Sequence, residues 1–252
     1  MALFTVKDLA IHFGGIRAVD GVSFEVEQGS VFTIIGPNGA GKTTIFNLVS
    51  RINDPTAGTI TFNGQDITRI PANKVAKLGI ARTFQNIELF DNASVLQNMM
   101  VGRHIHIGTN LFSEIFRLPS VTRAEIESRR RVEEIIEFLR LQAYRDSPVG
   151  SLPYGVRKMV ELGRALAAEP RMLLLDEPSS GLNIEETDNI GMWIKDIRDM
   201  LGITVLMVEH DMRLVGAVSD RVMALNYGRL LAIGTAGEVQ RDPAVISAYL
   251  GN

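Results

Sequence analysis

The alternation of apolar and polar residues predicts two kinds of strand in this chain. Residues 22–26, Val-Ser-Phe-Glu-Val, alternate with the period of a half-buried strand. Three other segments are almost entirely apolar, as in strands covered on both faces: residues 31–35, 172–175 and 204–208. Between the last two, apolar residues recur at helical spacing from residue 190 to 197. A strand, a helix and a strand in this order predict a crossover unit and a parallel sheet.

Two further patterns predict antiparallel pairing beside that sheet. Residues 60–62 are strand-like and run into Asn63-Gly64, a tight-turn pair. Near the end, residues 221–225 and 229–233 flank a turn containing Gly228, the pattern of a hairpin. We therefore predict an α/β fold with an antiparallel β flank.

The middle of the chain predicts helices instead of strands. Strand patterns are absent from about residue 86 to 160, and Thr122 with Glu125 forms a capping-box pair ahead of an amphipathic helix. Residues 102–120 predict a long loop with a short helical piece. We expect one domain, residues 1–252, with an α/β core and an inserted helical subdomain. The predicted core covers residues 1–86 and 160–252, and the predicted insert covers residues 87–159.

Composition excludes several classes of function. The 252 residues are 46% hydrophobic and carry a net charge of −3, which gives no general attraction to nucleic acid. The chain contains no cysteine, so disulfides and thiolate chemistry are excluded. No apolar run approaches the about 20 residues of a membrane span, and the first ten residues include Lys7 and Asp8. We expect a cytosolic protein that binds no nucleic acid.

Residues 36–43 have the composition of a phosphate-binding loop. The sequence Gly-Pro-Asn-Gly-Ala-Gly-Lys-Thr lies between a buried strand and an amphipathic segment that starts at Lys42. Glycines allow the backbone amides to turn inward around a polyphosphate at the positive end of a helix. Lys42 can neutralise the outer phosphates, and the Thr43 hydroxyl can hold Mg²⁺. This pattern predicts a nucleotide site.

Two carboxylates follow the apolar strand at residues 172–175. Asp176, at the strand end, is suited to bind Mg²⁺ through its water shell. Because strand residues alternate in direction, Glu177 is expected to point away from the metal and toward an attacking water. This pair predicts hydrolysis of the bound nucleotide.

Three further residues are candidates for the site, each on weaker sequence evidence than the two motifs above. His210 directly follows the apolar strand at residues 204–208, where it can donate to the γ-phosphate or cap the next helix. Gln85 lies where strand patterns give way to helical ones, and its amide can contact Mg²⁺ and water. Phe13 precedes two glycines, so its ring can stack on a base or fill a core.

These motifs, in this order and spacing, resemble the ATP-binding subunits of ATP-binding-cassette (ABC) transporters over nearly the whole chain. Within that family the chain is most similar to the LivG-like cassettes of branched-chain amino acid importers. The features that carry this are Leu-Pro-Tyr-Gly at residues 152–155, the insert at 102–120, and the tail from 225 to 251. The resemblance implies a phosphate-loop NTPase (RecA-like) core and an ATPase activity coupled to transport, with ATP and Mg²⁺ as cofactors.

The resemblance also implies a role for each motif. Phe13 would stack on adenine, Gln85 would sense the membrane subunit, and His210 would be the switch histidine. Two cassettes would pair head to tail, each ATP lying between one phosphate loop and the partner's signature segment, residues 152–156. The implied catalytic residues are Glu177, His210 and Lys42, and the metal is held by Thr43, Gln85 and Asp176. The implied ATP-binding residues are Phe13, Gly36, Pro37, Asn38, Gly39, Ala40, Gly41, Lys42, Thr43, Thr44, Gln85 and His210, and those for the partner's ATP are Leu152, Tyr154, Gly155 and Val156.

The signature segment departs from the family pattern of leucine, serine, two glycines and glutamine. Pro153, Tyr154 and Val156 replace three of these residues. Proline removes a hydroxyl and an amide from the phosphate-facing set, so we expect slower hydrolysis or a partner with a complete signature. Asn183 stands where the family usually has aspartate, and with Glu186 it forms a helix cap.

The implied partners are a second cassette, two integral membrane permease subunits and, indirectly, a periplasmic substrate-binding protein. The implied location is cytoplasmic, peripheral on the inner face of the cell membrane. Other interpretations remain open: a related cassette for urea, amides or lipopolysaccharide export, a soluble ABC ATPase, or a kinase that uses the same loop.

Overall fold

The chain forms two compact units in the computed structural model, which describes residues 1–106 and 119–250. The first unit contains residues 1–82 and 171–252, and the second contains residues 83–170. The predicted boundary at 159/160 falls inside a helix, Tyr154–Leu166, and the second unit continues to Pro170. Most of the loop predicted for residues 102–120 lies outside the described residues.

Regular elements occupy most of the described chain. The strands are β1 Ala2–Phe13, β2 Ile16–Glu27, β3 Val31–Ile35, β4 Ala57–Phe62, β5 Gln65–Asp66, β6 Ile80–Arg82, β7 Met172–Asp176, β8 Thr204–Val208, β9 Arg221–Asn226 and β10 Arg229–Gly234. The α-helices are α1 Lys42–Val49, α2 Ala72–Val75, α3 Val95–Gly102, α4 Pro119–Phe138, α5 Tyr154–Leu166, α6 Ile184–Leu201, α7 Met212–Val218, α8 Ala236–Arg241 and α9 Pro243–Leu250.

A six-stranded sheet forms the centre of the first unit, in the order β10-β9-β3-β8-β7-β6. The neighbours from β9 to β6 pair in parallel, and β10 pairs antiparallel with β9 as the predicted hairpin. All five residues of β3, β7 and β8 are buried, which accounts for their mostly apolar sequences. The sheet therefore brings the carboxyl ends of β3, β7 and β8 to one edge.

The predicted antiparallel flank is a separate four-stranded sheet in the order β2-β1-β4-β5. The turn between β4 and β5 has positive φ at Asn63 (49°) and Gly64 (77°), as expected for this residue pair in a hairpin. The rings of Phe24, on β2, and Phe32, on β3, stack with centroids 5.3 Å apart. This contact joins the two sheets in one core.

The second unit is helical, as predicted. Helix α3 begins with a capping box made by Ser94 and Gln97 and packs closely on α5, where Gly163 faces the Met99 side chain. Helix α4 begins at Pro119, so Thr122 lies inside the helix and its predicted role as the N-cap is wrong. In the described ranges, 1–106 and 119–250, no helix has the length and apolar character that crossing a bilayer requires.

Candidate active site

The phosphate loop, residues 36–43, connects β3 directly to α1. Its three glycines have positive φ, with values of 154° at Gly36, 80° at Gly39 and 99° at Gly41. A Cβ on Gly36 would strike the carbonyl oxygen of Leu225, and one on Gly41 would lie 2.6 Å from the Ala18 carbonyl oxygen. Backbone conformation and close contacts both require glycine at these two positions.

Helix α1 begins at the loop with its N-terminus open to an anion. Its N-cap is Gly41, and no side chain caps the first turn. The amides of the first turn are therefore available to a phosphate group, at the positive end of the helix dipole. Thr43, in this turn, is exposed, and Thr44 is half-buried.

Lys42 folds back onto the loop that precedes it. Its side chain is buried, and Nζ donates to the carbonyl oxygens of Gly36 at 2.7 Å and Pro37 at 3.1 Å. Burial lowers the pKa of Lys42, while the charges of Glu177 and Asp176 act in the opposite direction. The cation therefore lies within electrostatic reach of both predicted carboxylates, and these two loop carbonyls hold it near the place expected for phosphate.

Asp176 is the last residue of β7 and is buried. Its Oδ2 accepts a hydrogen bond from Nη2 of Arg82 at 2.8 Å. The same guanidinium donates through Nη1 to Asn47 Oδ1 and to Ser50 Oγ, both at 2.8 Å. Arg82 was not singled out in the sequence, because an arginine at the end of a short apolar strand carries no motif of its own.

The backbone conformation of Glu177 sets the direction of its side chain. It follows β7 and has φ of 48°, in the left-handed region, with its N–H donating to the Val208 carbonyl at 2.9 Å. The explanation by strand alternation is therefore wrong, since the strand ends one residue earlier. Glu177 Oε2 lies 3.8 Å from Nδ1 of His210. The fold thus places the predicted acid and the predicted histidine side by side.

A buried glutamate organises the loops after β7 and β8. Glu209 has an exposed fraction of 0% and accepts hydrogen bonds from the amides of Ser179 (2.9 Å), His210 (2.8 Å) and Asp211 (3.1 Å). Sequence reasoning missed this residue. The cap of α7 is Asp211, which accepts from the amides at the start of that helix, so the interpretation of His210 as a helix cap is wrong.

Phe13 and Gln85 lie in different units. Phe13 ends β1, and the residue is 51% exposed, which leaves its side chain accessible for stacking. Gln85 is exposed and belongs to the second unit. The preceding amide, of Phe84, donates to Oε1 of Glu161 in α5 at 3.1 Å. Burial raises the pKa of the Glu161 carboxyl.

The signature segment leads into α5 in the second unit. Pro153 is the N-cap of this helix, which no side chain caps. Tyr154 is exposed, and Nζ of Lys158 lies 5.9 Å from the centre of its ring. Leu152, Gly155 and Val156 are half-buried. The first turn therefore offers amides, but it lacks the backbone amide and the hydroxyl that a serine at position 153 would give.

Asn183 is fully engaged as a helix cap. Its side chain accepts from the Glu186 amide at 2.9 Å, and Glu186 accepts from the Asn183 amide at 3.0 Å. The predicted capping box at the start of α6 is thus present.

The oxygen donors near the loop fit magnesium. Thr43 offers a hydroxyl and Asp176 a carboxylate, and hard oxygen ligands are those that Mg²⁺ prefers. Within the part of the chain that the structure describes, no three histidine, cysteine or acidic residues cluster as a metal site. A magnesium ion here would complete its ligand shell with phosphate oxygens and water, as it does in other nucleotide sites.

Residues 19–180 match the family described as ABC transporter. The chain belongs to the ABC transporter family. A second match, residues 229–252, is to the family described as branched-chain amino acid ATP-binding cassette transporter. Together these matches confirm the resemblance that the motifs indicated.

Relatives with similar sequences span the whole cassette. The chain is 40% identical to the high-affinity branched-chain amino acid transport ATP-binding protein BraF of Pseudomonas aeruginosa, over 99% of this chain and 98% of the relative. It is 38% identical to LivG of Escherichia coli K12, with the same coverage of both chains. A solved structure described as the ADP conformation of MJ1267, an ATP-binding cassette of an ABC transporter, superposes with a TM-score of 0.88 at 32% identity, covering 100% of both chains. The predicted phosphate-loop fold is confirmed.

Proposed function

We propose that this cassette is the ATP-hydrolysing subunit of an importer for branched-chain amino acids. The proposed substrate rests on one observation. The chain is similar over its full length to proteins named for branched-chain amino acid transport, and residues 229–252 match a family with the same description. In this proposal two cassettes work on the cytoplasmic face of the membrane, beneath two permease subunits that receive substrate from a periplasmic binding protein.

Nucleotide binding rests on the phosphate loop and on Lys42. The Lys42 ammonium is bonded to two loop carbonyls, and the first-turn amides of α1 have no capping side chain. A triphosphate carries more negative charge than these carbonyls, so it is the stronger acceptor for both the ammonium and the amides. Phe13 provides an accessible ring for the adenine. Magnesium, when bound, would neutralise phosphate charge, and Thr43 and Asp176 would hold it.

Hydrolysis rests on Glu177 and His210. The Glu177 carboxylate orients the attacking water and accepts a proton from it as the water oxygen bonds to the γ-phosphorus. The bond from the γ-phosphorus to the bridging oxygen breaks, and ADP leaves with that electron pair. In this proposal the His210 imidazole donates to the γ-phosphate; its 58% exposure and the 3.8 Å between its Nδ1 and Oε2 of Glu177 support that role. Glu209 supports both roles, because it fixes the backbone at His210 and at Ser179.

The signature segment serves the ATP of the partner cassette. The amides of Tyr154, Gly155 and Val156 remain for that contact, without the hydroxyl and amide that Pro153 lacks. We infer that a site completed by this segment turns over slowly, or that the partner is a different chain with a complete signature.

A transport assay in proteoliposomes tests which substrate the importer takes up. The cassette, purified with its permeases, is reconstituted with ATP inside and the binding protein outside, and uptake of labelled leucine is measured. Leucine uptake that requires ATP and is competed by isoleucine and valine supports the proposal. ATPase activity that responds to urea or short amides, with no leucine uptake, contradicts it and favours the alternative substrate class.

A further inference from the structure

Arg82 lies at the end of β6 and joins three elements of the first unit. Its guanidinium bonds to Asp176 at the end of β7 and to Asn47 and Ser50 on α1, each at 2.8 Å. The guanidinium carbon also lies 5.5 Å from the centre of the Phe46 ring. The side chains of Arg82 and Asp176 have exposed fractions of 9% and 4%, so water screens this ion pair poorly.

We propose that Arg82 is a positioning residue for magnesium, holding Asp176 by Oδ2 so that the other carboxylate oxygen serves the metal. This inference rests on the proposed function, which assigns Asp176 to the metal. A planar guanidinium that engages several acceptors at once fixes a carboxylate more firmly than a lysine ammonium does.

Arg82 also connects Asp176 to helix α1. The helix that carries Thr43 in its first turn also supplies Asn47 and Ser50, which anchor Arg82. Arg82 therefore couples the position of the Asp176 carboxylate to the helix that carries the Thr43 hydroxyl. An arrangement of this kind resembles the outer-shell partners of other metal sites, which orient the residues that hold the ion.

Arg82 also compensates the charge of Asp176 before a metal arrives. A buried carboxylate is unfavourable without a nearby cation or hydrogen-bond donors. Lys42 is within electrostatic reach of Asp176, but its Nζ is bonded to the loop carbonyls. Arg82 donates to the carboxylate directly. Removing Arg82 should therefore weaken metal binding more than nucleotide binding.

Binding of Mn²⁺, a paramagnetic substitute for Mg²⁺, tests this without measuring turnover. Free Mn²⁺ is counted by electron paramagnetic resonance in the presence of a non-hydrolysable ATP analogue. We expect Arg82→Met to weaken Mn²⁺ binding about 10-fold or more, the range seen for outer-shell partners, and Arg82→Lys to weaken it less. Binding of a fluorescent ATP analogue in EDTA should keep its wild-type affinity in both variants.

One further variant controls for general structural damage, and two others test the inference independently. Arg103→Lys changes another buried arginine, which pairs with Glu169 at 3.0 Å in the second unit, and should leave Mn²⁺ binding unchanged. Asn47→Ala and Ser50→Ala remove the anchors of Arg82 while keeping its bond to Asp176. We expect a loss of Mn²⁺ affinity smaller than the about 10-fold expected for Arg82→Met, so these variants test the inference if Arg82→Met does not fold.

Wild-type Mn²⁺ affinity in the Arg82 variants and the anchor variants overturns the inference. A parallel loss of ATP binding in EDTA also overturns it, because it shows a general structural role for Arg82. If the wild-type protein itself fails to bind Mn²⁺ with nucleotide, the proposed function fails instead. The two failures are thus distinguished by the wild-type measurement.

Discussion

Helices α1 and α5 both begin at segments assigned to ATP, and both begin without a capping side chain. In the described part of the chain, five other helices are capped by side chains at their N-termini, which accept hydrogen bonds from the first-turn amides: Ser94, Asn183, Asp211, Thr235 and Asp242. A capping side chain occupies the amides that an anion would otherwise bind. The four-residue helix α2 also begins without a capping side chain. Among the other helices compared, the amides are open where the proposal needs them for phosphate.

The two open helices differ in how their first turns are built. Before α1, glycines at 36 and 41 are required by contacts with neighbouring backbone, and a buried lysine supplies the charge. Before α5, Pro153 lacks the amide and the hydroxyl that serine would supply, and Tyr154 places an exposed ring beside the first turn. The phosphate loop is thus tightly constrained, whereas the signature segment tolerates departures from the family pattern. Differences in turnover between relatives are expected to arise at α5.

The largest effect is expected from Glu177→Gln, which removes the base and leaves the helix start of α1 intact. Phosphate release should fall about 10²- to 10⁴-fold, because general bases contribute in that range. ATP affinity should stay near the wild-type value, since Lys42 and the loop amides are unchanged. Steady-state phosphate release and equilibrium nucleotide binding measure the two quantities. Undiminished release by the variant rules out this assignment of Glu177.

Lys42→Ala should weaken ATP binding about 10- to 100-fold, because hydrogen bonds to charged groups contribute about 1.5–3 kcal/mol. Isothermal titration of the purified chain measures it. Lys158→Ala is the matched control, since that lysine is equally buried but lies in α5. Equal losses in both variants contradict the distinction between the two helices.

Pro153→Ser restores a hydroxyl and an amide at the start of α5. If the signature limits the rate, turnover of the assembled transporter should rise about 2- to 10-fold, the effect of the about 0.5–1.5 kcal/mol that a typical added hydrogen bond contributes. Binding of ATP to the isolated chain should not change, because its own loop is untouched. A turnover equal to that of the wild type shows that Pro153 does not limit the reaction.

Glu161→Gln is expected to have the smallest effect, and on stability. Since the folded-state pKa of Glu161 is raised by burial, the folded chain binds more protons than the unfolded chain between the two pKa values. Wild-type stability therefore falls as pH rises from about 4.5 through the folded pKa, and is constant above it. The variant avoids this loss and keeps an acceptor for the Phe84 amide. At neutral pH we expect a gain on the order of 1 kcal/mol.

Denaturant unfolding of both proteins between pH 4 and 8 measures the difference. A stability difference that is independent of pH contradicts the assignment of a raised pKa to Glu161. A variant less stable than the wild type at neutral pH shows that the charged form of Glu161 stabilises the start of the Gln85 segment.

Local patterns made much of the fold predictable from the sequence. The phosphate loop and the strands at residues 31–35 and 204–208 have the predicted bounds, since short apolar runs beside glycine turns depend on nearby residues. The first strand was not predicted, because its pairing with β2 has register shifts and Asp8 has φ of 48°, which interrupts the alternation. The helix start at Pro119 had a signal, proline in the first turn, that the capping-box interpretation overlooked.

Contacts between distant residues were not predictable. Arg82 meets Asn47, Ser50 and Asp176 at separations of 35, 32 and 94 residues, and no motif links them. Glu209 bonds to Ser179 across 30 residues. The left-handed backbone conformation of Glu177 was not predictable from the sequence either, since glutamate rarely adopts positive φ without tertiary support.

The nucleotide retained by Glu177→Gln tests the central claim most directly. The variant is incubated with Mg²⁺ and ATP labelled at both the α- and the γ-phosphate, and the bound nucleotide is isolated by rapid gel filtration. We predict that the two labels are retained in equal amounts, while the wild-type protein loses the γ-label. Loss of the γ-label from the variant at the wild-type rate would contradict the assignment of Glu177 to the attacking water.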